Sequence, residues 1–95
     1  MSELTTETLV IECRRIAEEK AVAMGNAGVK DKAEKYANLE FEPMSTSRFT
    51  AYDPNSGGMI DLLNMVLDTV EEQNPVVFTE HHDGGGRQTI YWQAA

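Results

Sequence analysis

Basic residues are nearly missing from the second half of this chain. Residues 49 to 95 hold seven acids against Arg87 alone, a net charge near −6 out of −8, whereas the first 48 residues carry nine acids and seven bases. The imbalance belongs to one half and is not a uniform solubility coating. Cysteine is almost absent as well: Cys13 stands alone, so no internal disulfide can form and nothing calls for an oxidising compartment. No apolar run is long enough to cross a bilayer, because the longest, around Met59 to Val70, is broken by Asp61, Asn64 and Asp68. Met1 to Glu7 lacks the basic and then apolar pattern of a signal peptide. The expectation is a cytoplasmic protein with no membrane contact and no direct nucleic-acid contact, since both surfaces attract basic patches.

What is present suits one globular domain. The 95 residues are 41% hydrophobic and 25% charged, enough for a single core but too few for a second. The expected fold is α+β, two amphipathic helices packed on a small antiparallel sheet of about four strands, in the order helix, hairpin, helix, hairpin. Thr5 or Thr6 caps a first helix running to about Met24, stopped by Gly25-Asn26. Its apolar face is Leu9, Cys13, Ile16, Ala17 and Met24, while Ile11 and Val22 fall among polar positions. Lys30 to Tyr36 reads either as a short lysine-rich helical turn or as a loop.

Leu39 to Glu42 and Phe49 to Tyr52 alternate as strands about a Ser45-Thr46-Ser47 turn. Asn55 or Ser56 is placed to cap a second helix ending near Gln73, because Pro75 disfavours helical geometry at Asn74. Val76 to Glu80 and Gln88 to Trp92 follow as strands, with His81 to Arg87 as a glycine-rich connection. No internal repeat stands out, although the two helix-plus-hairpin halves share an outline.

The second helix carries the most information. Ile60, Leu63, Val66, Leu67 and Val70 form one broad apolar face, flanked by Met59. Asp61, Asn64, Asp68, Glu71 and Glu72 occupy the opposite arc, with Met65 at its border. Asp68 to Glu72 is about 6 Å along the axis at 1.5 Å per residue. Successive phosphates of a nucleic-acid strand are spaced on that order, so the stripe has the spacing to imitate one. A plain solvated helix face is the competing explanation. Glu80 and Asp83 extend the same field if the last hairpin tip lies near the helix end.

Other chemistry is weakly signalled. His81-His82-Asp83 offers three metal-ligand types, yet neighbours on an extended chain point to opposite faces, and a solvated loop explains them as well. Cys13 on an apolar face reads as core rather than nucleophile. Gly57-Gly58 lacks the lysine and spacing of a phosphate-binding loop. Glu40 and Glu42 share a strand face without an accompanying base or pocket. Tyr91 and Trp92 are core anchors or partner-facing aromatics.

Three functional classes follow, and no cofactor is expected in the first two. One is a non-enzymatic acidic inhibitor docking on a basic protein surface, such as that of a nucleic-acid-binding protein, through Asp61, Met65, Asp68, Glu71, Glu72, Glu80 and Asp83. Small inhibitors encoded by phages or mobile elements fit that physical description. Another is a structural or adaptor subunit assembling through a strand edge or an apolar helix face, including a homo-oligomer. The last is a metal protein or enzyme using His81, His82 and Asp83.

Overall fold

The computed structural model describes residues 4–54 and 61–95. The fold is α+β, with three helices and a four-stranded antiparallel sheet among the described residues: α1 (Thr6–Asn26), α2 (Lys30–Ala37), β1 (Glu40–Ser45), β2 (Arg48–Tyr52), α3 (Asp61–Gln73), β3 (Val76–Gly84) and β4 (Arg87–Ala94). The strand order is β1-β2-β4-β3, which makes β2 and β4 central and leaves β1 and β3 as edges. The caps expected at Asn55 or Ser56, the Gly57-Gly58 turn and the apolar positions Met59 and Ile60 lie outside the described residues.

Local chemistry sets the ends of α1. Thr5 accepts from the Thr8 backbone N–H at 3.1 Å, and the Thr8 hydroxyl oxygen accepts from the Thr5 N–H at 2.9 Å, a reciprocal capping box built from two threonines. At the other end Val29 N–H reaches Met24 C=O at 2.8 Å and Gly28 N–H reaches Gly25 C=O at 3.1 Å. That is a Schellman closure, and it requires the positive φ of 82° that Gly28 supplies. Lys30 to Ala37 is a helix rather than a loop because Tyr36 anchors it, 2% exposed against α1.

Among the described residues sixteen buried apolar side chains form one core, including Leu9, Ile16, Phe41, Phe49, Leu63, Leu67, Val70 and Ile90. The helices supply one layer and the inward face of the sheet the other, with Phe49 and Phe78 meeting edge to face at 5.7 Å. Trp92 packs against this core and donates from Nε1 to the Thr6 hydroxyl at 2.8 Å, tying the last strand to the start of α1. Ile11 and Val22 are exposed, as the helical wheel places them.

Two features of the sheet depart from the sequence reading. His81, His82 and Asp83 belong to β3 rather than to a loop, since pairing with β4 continues to Gly84 and only Gly85-Gly86, both at positive φ, make the turn. An internal repeat is also present. β2 reads Arg48-Phe49-Thr50-Ala51-Tyr52 and β4 reads Arg87-Gln88-Thr89-Ile90-Tyr91, both Arg-x-Thr-x-Tyr, and they pair as Arg48 with Tyr91, Thr50 with Thr89 and Tyr52 with Arg87. The centre of the sheet thus has local two-fold symmetry.

The repeat is imperfect at one costly place. Where β2 buries Phe49, β4 buries Gln88, 1% exposed, and neither atom of its amide has a hydrogen-bond partner. Burying an unpaired amide costs about 1–3 kcal/mol. Gln88→Leu should therefore raise the urea midpoint without changing the slope of the transition, a gain of about 1–3 kcal/mol from removing the orphaned group.

Candidate acidic site along the third helix

Helix α3 lies across the inward side of the sheet with Leu63, Val66, Leu67 and Val70 essentially fully buried. That seals the apolar face and turns the polar arc outward. Asp68 and Glu72 are exposed, Met65 is 51% exposed, and the side chain of Asp61 is outside the described residues. Among the described residues the ion pairs join Arg15 to Glu12 and Glu19 and Lys35 to Asp31, so none of them reaches α3. Arg15 does donate to the side-chain oxygen of Gln73 at 2.9 Å, which brings one cation near the α3 C-terminus.

The two flanks of the arc differ. On one, the Met65 sulfur accepts from the Tyr36 hydroxyl at 3.5 Å, so Met65 bridges α3 to α2. On the other, Asn64 and Glu71 face strand β3. Glu71 Oε2 accepts from the Phe78 backbone N–H at 3.1 Å. With its amide nitrogen turned to Glu80, Asn64 donates to both carboxylate oxygens at 2.8 and 3.2 Å. Burial first, and then the neighbouring charges of Asp68 and Glu71, hold the carboxyl of Glu80 above its ordinary range, against the opposite pull of His82 and of the Asn64 donors.

Of the seven residues singled out in the sequence, Asp68, Glu71 and Glu80 gather at the α3–β3 seam, with Glu72 and Met65 on the far side of the same helix. Asp83 does not join them. Its Oδ2 accepts from the Thr89 hydroxyl at 2.8 Å, which puts it on the outward face of the sheet. His81 is on that outward face too, edge to face with Tyr91 at 5.8 Å, whereas His82 sits by Glu80 on the inward side. Strand alternation separates His82 from His81 and Asp83, and among the described residues no group of three or more His, Cys, Asp or Glu is placed to hold a metal ion. Cys13 is buried and its thiol is pushed up to about 12, chiefly by burial and then by Glu12, which removes the thiolate a nucleophile needs.

Arg14 was not singled out by the sequence reading, and Asn64 was placed on the polar arc but given no role. Arg14 Nη2 donates to the Phe41 carbonyl at 2.6 Å on edge strand β1, the counterpart of Glu71 on edge strand β3. The signal for both was a polar residue on a helix flank beside the apolar stripe, which by itself does not say which group of the sheet it will meet. Among the described residues no helix is long and apolar enough to cross a membrane.

No protein-family model, curated protein or solved structure matches this chain.

The raised Glu80 carboxyl has a signed consequence. The folded state holds this proton more tightly than the unfolded chain, so Glu80 costs stability above its folded pKa, and that cost disappears as pH falls below the ordinary carboxylate range. Glu80→Gln should raise the melting temperature at pH 7 relative to the parent, with the difference closing by about pH 4. Thermal scans across that range check it, and a pH-independent difference would remove the charge argument.

Proposed function

We propose that this chain is a non-enzymatic binding protein of the cytoplasm whose acidic helical layer docks on a basic protein surface, that of a nucleic-acid-binding protein, and blocks it. The observation that carries this reading is the pair Asp68 and Glu72, exposed on α3 and outside the ion pairs found among the described residues. Beside them Glu71 and Glu80 add charge along a seam already partly desolvated. Carboxylates about 6 Å apart on a rigid helix match phosphate spacing without ordering cost at binding. Long-range attraction would speed association and make it fall with salt. Phage or mobile-element inhibitors share this physical description, and the analogy rests on charge and size alone.

The adaptor reading is weakened at the strand edges. Arg14 occupies a β1 carbonyl and Glu71 occupies a β3 N–H, so at these points an incoming strand would have to displace a charged side chain. Ile11 and Val22 remain exposed on α1 and keep a helix-face contact open.

Asp68→Lys combined with Glu72→Lys should leave the fold intact, because both side chains are exposed and lysine at position 72 suits the helix C-terminus. The double variant should lose more than about tenfold in capture of basic proteins from host lysate at low salt, and the parent should lose a similar amount at high salt. Undiminished capture by a variant with native circular dichroism would sink the docking surface.

A further inference from the structure

The helices cover one face of the sheet, and none of the described residues covers the other. It presents Glu40 and Glu42 from β1, the repeated Arg, Thr and Tyr from β2 and β4, and Thr79, His81 and Asp83 from β3. Its charge differs sharply from the rest of the molecule. Among the described side chains, three acids stand there with two bases, Arg48 and Arg87, against eleven acids and six bases elsewhere. Each arginine lies near a tyrosine ring of this face, Arg48 at 5.9 Å from Tyr91 and Arg87 at 5.5 Å from Tyr52.

We propose that this open face is the contact between two copies of the chain, packed sheet to sheet about a two-fold axis running parallel to the strands. Charge selects both the face and the axis. Two helical layers brought together would add their negative charge, whereas the nearly balanced sheet face carries no such penalty. Rotation about an axis along the strands lays β1 of one copy over β3 of the other. Glu42 pairs with Thr50 and His81 pairs with Thr89, so both lie level with the Thr50–Thr89 centre. Each edge strand is about 7 Å from that centre, one and a half strand spacings. Glu42 of each copy therefore meets His81 of the other, twice over, and histidine offers a carboxylate a donor in either protonation state. An axis across the strands at the same level would instead set Glu42 against its own copy.

The remaining features agree with that geometry. A hollow of about 240 Å³ lined by Glu40, Glu42, Thr50, Tyr52 and Arg87 receives the imidazole. Arg87 stands in that hollow, where it offsets the approach of Asp83 of the second copy to Glu40. The threonines at the centre are short enough for two sheets to close to about 10 Å. Four strands about 4.8 Å apart and five to nine residues long at about 3.4 Å each make a sheet roughly 19 Å by 17–31 Å, so the contact falls at the small end of specific interfaces, as suits a weak dimer.

The test is sedimentation equilibrium of the full chain from about 1 to about 200 μM, the range in which weak dimers dissociate. The expected result is a dimer. Glu42→Lys should weaken it by about tenfold, and adding His81→Glu to the same chain should restore it by reversing the pair. Thr50→Glu with Thr89→Glu, which puts like charges on the axis, should give a monomer with native circular dichroism. A parent monomer across the whole range overturns the proposal, as does a dimer unaffected by the threonine variant or a charge reversal that His81→Glu does not rescue. A monomer that binds a labelled single-stranded oligonucleotide through Arg48 and Tyr91 overturns it in favour of a stacking platform.

Discussion

An antiparallel sheet has two faces, and this chain has helices for only one of them. With α1 and α3 placed over the inward face, every strand must alternate between core and solvent, and the burial of Phe41, Phe49, Ala51, Ile90 and Val76 follows that alternation. The same parity puts Arg48, Thr50, Tyr52, Arg87, Thr89 and Tyr91 outside. A one-residue slip in either hairpin would bury its arginine, Arg48 or Arg87, and expose part of the core. Register is therefore the constraint on which both the acidic helical layer and the neutral sheet face depend.

Sheet edges pose a separate problem, and the helices solve it with charge. Phe41 and Phe78 lie on the two edge strands at positions whose backbone groups point away from the sheet. Arg14 takes the carbonyl of one and Glu71 the N–H of the other. A charged group on a backbone partner forms a stronger bond than a neutral one, and it remains there when the protein meets other chains. Glu71 thus has two roles that cannot be separated by simple deletion. It contributes to the negative field of α3 and it closes an edge, so its removal changes both surface charge and resistance to strand addition.

The strongly periodic elements were legible in the sequence. Leu9, Cys13, Ile16 and Ala17 on α1 and Leu63, Val66, Leu67 and Val70 on α3 fall where 3.6-residue periodicity places them, because core burial is what that pattern records. Three things were not legible from the same reasoning. Helix α2 is held by the burial of Tyr36 against α1, a tertiary contact that a lysine-rich octet does not announce. His81 to Asp83 looked like turn chemistry beside three glycines, and pairing with β4 overrode it. The Arg-x-Thr-x-Tyr repeat is visible in the letters but consists of polar outward residues, which hydrophobic periodicity passes over. For the acidic site, charge on α3 was readable from spacing, whereas the capture of Glu71 by β3 and the displacement of Asp83 to the other face needed the register.

The two proposed surfaces constrain one another through geometry. They lie on opposite layers, so a contact through the sheet leaves both acidic helical layers free and turns them in opposite directions. Such a dimer presents two negative faces on a rigid body, separated by two sheets and two core layers. Against a partner with a single basic groove this adds nothing to affinity. Against a partner that is itself a symmetric dimer, or one repeated along a polymer, the second engagement becomes intramolecular, and avidity multiplies even when each contact is weak. The concentration dependence of docking then carries information that its salt dependence does not. Salt weakens each acidic contact alike, while dilution below the dimer's dissociation constant removes the second contact and leaves the first unchanged.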